Sequence, residues 1–229
     1  MFKKFLVFVP LVALILTVSF VAFSDLSFAQ QKAVTSTDPK AKVILDALSK
    51  KYKSLKAIKA SFKVVIENPM KKTRDEKKGS LVLKGTKYQI LLENQEITCD
   101  SKTVWTYMKE SNEVQINNYE PDAHAVNPSE IFTMYEKGFY YQLAEVVKEN
   151  GKDLQIIELT PIDKKKEYFK IKLYIDKVGQ AIAKMRIFNN NGGQMTYEIT
   201  QFIANPDITD AYFTFDVKKH PGVEVNDIR

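Results

Sequence analysis

Residues 58–68 read Ile-Lys-Ala-Ser-Phe-Lys-Val-Val-Ile-Glu-Asn. Apolar side chains occupy every second position of this stretch through Ile66, and Lys59, Ser61 and Lys63 stand between them. Successive side chains of a β-strand point to opposite faces, so this alternation predicts a strand with one apolar face and one face in water. The stretch therefore indicates a sheet that covers an apolar interior.

Further strand candidates follow in series, and residues typical of turns separate them. The turns at 150–151 and 189–193 contain glycine and asparagine, which adopt positive φ at low cost. Because the chain of 229 residues has no internal repeat and no long linker, residues 38–229 are predicted to form one mainly β domain. The predicted strands after the first are 79–84, 87–93, 96–99, 103–109, 113–119, 140–148, 153–160, 167–176, 181–189, 195–203 and 212–216.

A helix is predicted to precede the first strand, after a polar and flexible leader over residues 30–37. It begins at Asp38-Pro39, because aspartate caps free amides and proline is tolerated in the first helical turn. Apolar residues from Ala41 to Tyr52 then recur at steps of three and four. This spacing predicts an amphipathic helix with one apolar stripe.

A second, short helix is predicted to interrupt the strands. Asn127 can cap it, Pro128 suits its first turn, and Glu130 completes a capping box. Gly138 is a typical C-terminal stop. The sequence thus places a short apolar helix in the middle of a β protein.

The N-terminus has the pattern of an export signal. Two lysines precede an uncharged apolar run over residues 5–23, and the tripeptide ending at Ala29 has the small-x-small form of a signal peptidase site. We expect residues 1–29 to be a signal peptide cleaved after Ala29, with a second candidate site ending at Ser24. The length of the run leaves an uncleaved membrane anchor as the alternative.

The chain offers few groups for catalysis. His124 and His220 lie in polar segments without metal-ligand spacing and are expected at the surface, and no nucleophile or phosphate-loop motif is present. Cys99 lies in an apolar segment, so we expect it to be buried and unreactive. The composition therefore predicts neither an enzyme, nor a metal site, nor a cofactor.

The formal net charge is +6, a modest surplus for a protein of this length. Two basic clusters stand out, and both are predicted to be solvated hairpin loops, with anionic lipid head groups or an acidic partner as the alternative. Basic and aromatic residues do not interleave, which argues against nucleic acid. The clusters are Lys71, Lys72, Arg74, Lys77 and Lys78, and Lys164, Lys165 and Lys166.

Four short motifs, in order along the chain, resemble the LolA family of periplasmic lipoprotein carriers. The clearest covers residues 96–107, Glu-Ile-Thr-Cys-Asp-Ser-Lys-Thr-Val-Trp-Thr-Tyr, which is similar to the family hairpin apolar-x-Ser-Asp-Gly-Lys-Thr-Leu-Trp-x-Tyr. Their shared order carries the resemblance. The others are Tyr52-x-x-Leu55-x-x-Ile58-x-Ala60-Ser61-Phe62, Gly79-Ser-Leu-Val-Leu-Lys84, and Tyr212-Phe-Thr-Phe215 followed by Pro221-Gly222-Val223-x-Val225.

The resemblance implies an incompletely closed antiparallel β half-barrel, with helices forming a lid over an apolar concave face. It also implies a monomeric periplasmic carrier that takes acylated lipoproteins from an inner-membrane ABC transporter and passes them to an outer-membrane receptor. On this basis nine residues are expected to form the wall and lid of an acyl-chain cavity. They are Phe62, Val64, Ile66, Leu81, Leu83, Trp105, Ile131, Phe132 and Met134.

Two positions depart from the family pattern. Lys84 is followed by Gly85 where the family often has an arginine that holds the lid closed, so Lys84 is one candidate for that latch. Ser101 replaces the glycine of the hairpin turn. A sensor domain that binds lipid or lipoprotein, and a carrier of another lipid, are the alternative functions for the same fold.

Overall fold

The computed structural model describes residues 36–120 and 128–229. The predicted signal peptide, His124 and the predicted cap Asn127 lie outside these residues. Within these ranges one α-helix and twelve strands form the fold, and most of them lie close to the predicted boundaries. They are α1 Pro39–Lys53, β1 Ile58–Asn68, β2 Thr73–Lys84, β3 Lys87–Leu92, β4 Gln95–Cys99, β5 Thr103–Met108, β6 Glu113–Asn118, β7 Phe139–Glu149, β8 Lys152–Pro161, β9 Tyr168–Asp176, β10 Ala181–Asn189, β11 Gln194–Ala204 and β12 Glu224–Asp227.

The twelve strands form one sheet in the order β12-β6-β5-β4-β3-β2-β1-β11-β10-β9-β8-β7. Its edge strands, β12 and β7, do not pair with each other, so the predicted mainly β and incompletely closed fold is confirmed. The sheet is mixed rather than wholly antiparallel, because β12 runs parallel to β6. The prediction of an antiparallel sheet therefore needs this correction at one edge.

Strand β1 lies near the middle of the sheet, between β2 and β11. The alternate residues that the sequence analysis placed on one face do share a face, and four of the five are at most 7% exposed. Ile66, at the far end of the strand, is 37% exposed. The apolar face is thus covered at one end and open at the other.

The helix α1 fills one half of the apolar face. Asp38 caps it through a 2.8 Å hydrogen bond from the Lys40 amide, and also accepts a 3.0 Å bond from the Leu143 amide in β7. Thr37, at the end of the predicted flexible leader, pairs with Tyr141. These contacts fix the start of the helix to the sheet edge. Its buried residues pack into the core formed by β8, β9 and β10 and are Ala41, Leu45, Leu48, Ser49 and Tyr52.

The predicted second helix is wrong. Residues 128–133 form turns, and a single 3₁₀ helix follows at Met134–Glu136. A helix of about ten residues has little intrinsic stability in water, so tertiary contacts decide the conformation of such a segment. The predicted lid therefore consists of one α-helix and a segment of turns.

The predicted strand at 212–216 is also wrong. A 3₁₀ helix covers Asp210–Phe213, and the last strand is β12 instead. The alternation that suggested a strand reflects two buried rings, Phe213 and Phe215, which point inward from an irregular segment. Part of the first basic cluster is likewise misplaced, since residues 74, 77 and 78 belong to β2 and not to a loop.

Lys84 holds the C-terminal segment rather than the lid. Its Nζ donates to the carbonyl oxygen of Ile208 at 3.0 Å and to Asp210 Oδ1 at 2.8 Å, and Lys87 pairs with the same aspartate at 2.7 Å. The latch considered for Lys84 is therefore absent. No helix among the described residues is long and apolar enough to cross a bilayer.

Candidate ligand-binding cavity

A cavity of about 540 Å³ lies on the half of the apolar face that α1 leaves uncovered. Six strands form its wall, and Tyr52 together with the segment 128–132 reaches over it. Its size falls within the range of about 300–1,000 Å³ that is typical of small-molecule sites. The lining residues are Tyr52, Ile58, Ala60, Phe62, Val64, Ile66, Lys77, Leu81, Tyr88, Ile90, Leu92, Gln95, Ile97, Pro128, Ile131, Phe132, Ile182, Met185, Ile187, Met195, Tyr197, Ile199 and Phe202.

The wall is apolar because alternate residues of its strands all point to the same side. The few polar groups among them include three phenols, and burial raises the pKa of Tyr52, Tyr88 and Tyr197 above the ordinary value. Their rings therefore stay uncharged at neutral pH. Such a wall offers contact with hydrocarbon and no group arranged for proton transfer.

Gly79 gives the cavity room for a large ring. It lies opposite Phe62 in the β1–β2 register, and a Cβ at this position would stand 2.6 Å from Phe62 Cζ and 2.8 Å from the Leu91 carbonyl oxygen. The absent side chain lets the Phe62 ring lie against the backbone of β2. Phe62 in turn meets Tyr197 edge to face, with ring centroids 5.8 Å apart.

An aromatic contact closes the top of the cavity. The rings of Tyr52, at the end of α1, and Phe132 stack with centroids 3.6 Å apart and an interplanar angle of 8°. Tyr52 also meets Phe202 edge to face at 5.8 Å, and its hydroxyl accepts a 3.4 Å hydrogen bond from the Ile182 amide. These contacts position Phe132 above the wall formed by β10 and β11.

Polar contacts join the cover segment, residues 128–136, to α1. Ser49 Oγ donates to Glu136 Oε1 at 2.9 Å, and Lys53 Nζ binds the same oxygen at 2.5 Å. The Tyr135 hydroxyl donates to Asp46 Oδ1 at 3.1 Å. Lys53 first, and then Ser49, lower the pKa of Glu136. The cover is thus held by charge-assisted hydrogen bonds at its edge.

The cavity opens at the end of β1 marked by Ile66. Lys77, which faces the cavity from β2, lies there with its Nζ 3.4 Å from Asp75 Oδ2 and with 35% of its side chain exposed. Gln95 also lines this end. The entrance is therefore polar, whereas the interior behind it is lined by hydrocarbon and aromatic rings.

Six of the nine residues predicted for the wall and lid line this cavity. The sequence placed β1 on the correct face, and the rest of these six lie on β2 and the cover segment. Binding of acyl chains by them remains a prediction. They are Phe62, Val64, Ile66, Leu81, Ile131 and Phe132.

The other three predicted residues lie elsewhere. Leu83 is on the same face but is buried in the filled core. Met134 packs against that core from the 3₁₀ helix. Trp105 faces the opposite side of the sheet, where it packs beside Tyr107 and Phe215. Paired residues of neighbouring strands share a face of the sheet, and Ile97, which lines the cavity, pairs with Thr106. Trp105, the neighbour of Thr106 in sequence, therefore points to the other face.

Much of the wall was not predicted, including Tyr88 and Ile90 on β3 and Met185 and Tyr197 on β10 and β11. Period-two alternation in these strands was a usable signal. What the sequence lacked was the strand order, which brings β10 and β11 beside β1.

Two residues outside the cavity complete the account of candidate chemical groups. Cys99 is fully buried, and burial raises the pKa of its thiol. His220 was expected at the surface, but it is only partly exposed. The centroid of its ring lies 4.4 Å from that of Tyr107 and 4.5 Å from that of Phe215. Within residues 36–120 and 128–229, no group of three histidine, cysteine or acidic side chains is placed to hold a metal ion.

Comparison with solved structures places the fold among known ones. An uncharacterised conserved protein from Thermus thermophilus matches with a TM-score of 0.55 at 12% identity, over 82% of this chain and 99% of that one. The lipoprotein LppX from Mycobacterium tuberculosis gives 0.47 at 10% identity over 76% and 99%. A LolA superfamily protein from Nitrosomonas europaea gives 0.44 at 14% identity over 77% and 98%.

Comparison of the sequence gives the family. No curated protein matches the chain. The family model described as outer membrane lipoprotein carrier protein LolA matches residues 53–216. This span takes in β1 to β11 and the 3₁₀ helix after them, and so includes nearly all of the cavity wall. Because it covers more than half of the sequence, the chain belongs to the LolA family.

Proposed function

We propose that this protein binds the acyl chains of lipoproteins in its cavity and carries them through the periplasm, from the inner to the outer membrane. The apolar cavity beneath the stacked Tyr52 and Phe132 rings is the observation that supports this most directly. Binding and transfer are the proposed activities, and the proposal assigns no catalytic residue.

Physical chemistry explains why such a cargo needs a carrier. Each methylene removed from water contributes about 0.8 kcal/mol, so a long acyl chain exposed to water costs on the order of 10 kcal/mol. A wall of isoleucine, leucine, methionine and phenylalanine side chains offsets that cost without fixing the ligand by directional bonds. The affinity for the acyl chain then depends on the apolar area in contact, so a receptor with a larger apolar site can bind the chain more tightly.

The N-terminal pattern and the family support the proposed direction of transport. The apolar run at 5–23 supports export to the periplasm, with cleavage near Ala29 releasing the domain into solution. An inner-membrane ABC transporter would supply the cargo and an outer-membrane receptor would accept it. Both partners come from the family relationship and are part of the proposal.

The test is release of lipoproteins from spheroplasts by the purified mature protein. Wild-type protein should bring newly made lipoproteins into the soluble fraction. Leu81→Glu, which places a carboxylate in the cavity, should reduce release at least tenfold, whereas Ser80→Glu, on the opposite face of the same strand, should leave it within twofold.

Circular dichroism establishes that both variants are folded. Failure of the wild type to release lipoprotein from membranes that respond to a known carrier would refute the proposed function. Equal loss in the two variants would show that the cavity does not carry the activity.

A further inference from the structure

Of the turns at the end of the sheet where the cavity opens, three lie side by side between β2 and β8. They join β1 to β2 (69–72), β8 to β9 (162–167) and β10 to β11 (190–193), and we call them the mouth rim. Across the sheet the strands lie in the order β2, β1, β11, β10, β9 and β8, and each runs antiparallel to its neighbour. The three turns therefore lie at the same end of the sheet. The two outer turns, 69–72 and 162–167, are about four strand spacings, or ~19 Å, apart.

Direct contacts link the three turns. The Asn190 amide donates to the Glu167 carbonyl oxygen at 2.9 Å, and Asn190 Nδ2 donates to the Lys166 carbonyl oxygen at 2.8 Å. The end of the Met70 side chain lies against Gly192, where a Cβ would stand 2.3 Å from Met70 Cε. The rim is therefore one continuous surface.

The rim adjoins the cavity entrance. Ile66 pairs with Met195 in the β1–β11 register, and both residues line the cavity just inside these turns. A partner surface in contact with the rim would therefore lie close to an acyl chain that enters or leaves the cavity past Ile66.

The two outer turns of the rim each have an exposed apolar residue followed by lysines. Met70 is 75% exposed and Ile162 is 48% exposed. Lys71 and Lys72 follow the first tip and take part in no ion pair among the described residues. Three lysines, 164–166, follow the second, with Asp163 and Glu167 as the acidic residues of that turn. The two turns together carry a surplus of positive charge.

We infer that the mouth rim docks on the surface of an anionic bilayer, with Met70 and Ile162 entering the head-group region and the lysines binding lipid phosphates. Small apolar tips flanked by lysines match the layered polarity of such a surface, since lysine stems can lie along apolar groups while the ammonium reaches the phosphates. Docking of this kind goes beyond carriage in solution, because it presents the open cavity to the membrane.

Vesicle co-sedimentation of the purified mature protein tests the inference. Wild-type protein should bind vesicles that contain one third phosphatidylglycerol at least tenfold more tightly than vesicles of phosphatidylcholine alone, and 0.5 M salt should remove most of the difference. The double variant Lys71→Glu, Lys72→Glu should lose at least tenfold in affinity for the anionic vesicles. Met70→Ser should lose severalfold at every salt concentration.

The matched control is Lys102→Glu with Lys177→Glu, which makes the same charge change in turns at the opposite end of the strands. This variant should bind anionic vesicles within twofold of wild type. Equal loss in the control, or wild-type binding that does not depend on anionic lipid, would overturn the inference.

A separate readout keeps this inference distinct from the proposed function. Binding of a fluorescent acyl probe in detergent-free buffer reports the cavity, and it should be unchanged in the Lys71, Lys72 variant. Leu81→Glu should weaken probe binding and leave vesicle binding intact. Loss of probe binding in the rim variant would mean that these lysines act on the cavity, and the docking role would be rejected.

Discussion

Replacing Glu136 with glutamine should make the cover segment open more often. Glu136 does not line the cavity, so the side chains that do are unchanged. The carboxylate accepts hydrogen bonds from Ser49 Oγ at 2.9 Å and from Lys53 Nζ at 2.5 Å. Glutamine keeps an acceptor oxygen in the same place but carries no charge. The substitution therefore removes the charge of the Glu136 contact while keeping its shape.

The magnitude follows from the exposure of the three partners. The Lys53 and Glu136 side chains are 55% and 39% exposed, so their ion pair contributes about 0–1 kcal/mol after solvent screening. Ser49 is only 3% exposed, and its bond should weaken from about 1.5–3 kcal/mol with a charged acceptor to about 0.5–1.5 kcal/mol with a neutral one. The sum is a loss of ~1–2 kcal/mol, which corresponds to about 5- to 30-fold more opening.

Hydrogen exchange measured by mass spectrometry on the peptide covering 131–138 reports this opening. The amides of Thr133 and Met134 donate to the Glu130 carbonyl oxygen, and that of Glu136 donates to the Thr133 carbonyl oxygen, so all three should exchange faster in the variant. Glu145→Gln removes the same charge from an exposed site on β7 and should change nothing there. Unchanged exchange in Glu136→Gln, or an equal increase in the control, would refute the reasoning.

The same contact should respond to acid. Because Lys53 and Ser49 lower the pKa of Glu136 below the ordinary 4.5, the carboxylate stabilises the closed cover above that pH, and the contribution disappears as the pH falls through the lowered pKa. Exchange in the wild-type cover, corrected for the intrinsic pH effect, should rise towards that of Glu136→Gln as the pH falls below 4.5. A constant difference between the two proteins from pH 7 to pH 3 would contradict this.

Three further outcomes are expected. Gly79→Ala should push the Phe62 ring towards the cavity, costing about 1–3 kcal/mol in urea unfolding and weakening a long acyl probe more than a short one; equal effects on both probes would argue against it. Asp38→Ala should destabilise the fold by about 1–2 kcal/mol in the same assay, because it removes the cap and leaves the Leu143 amide without its partner. The buried Cys99 thiol should react with a disulfide reagent only after unfolding, and rapid labelling of the native protein would show that the strand opens.

Strands β1 to β11 were predictable from sequence although β12 was not, and the inner face of β1 was predictable residue by residue. Ile58 to Ile66 alternate with charged and polar residues, and tertiary structure keeps that alternation because β1 has neighbours on both sides. The cap at Asp38 was equally clear, since the side chain and the proline after it act locally. Both predictions rest on a few neighbouring residues, and both are correct.

Features that depend on distant contacts could not be predicted in this way. Pro128 and Glu130 have the pattern of a helix start, yet the cover segment follows the stacking of Phe132 on Tyr52, which lies 80 positions away in sequence. Trp105 was expected in the cavity because of its motif, but a motif does not say which face of the sheet a residue occupies. The strand order that places β11 beside β1, and so completes the cavity wall, has no local signature.

The division of the apolar face explains how one sheet can be both stable and hollow. Over β8 to β10 the helix α1 supplies Leu45 and Leu48, which are buried completely and make an ordinary packed core. Over β1 to β4 the described residues include no such helix, and Tyr52 together with the segment 128–132 extends across the cavity. The packed half can hold the strands in place while the other half stays open, so stability does not require the cavity to be filled. Tyr135 anchors one end of the cover in the packed core, whereas residues 128–132 are held mainly by the stack of Phe132 on Tyr52. Opening residues 128–132 alone leaves Tyr135 buried, so a ligand can exchange at a cost below that of unfolding.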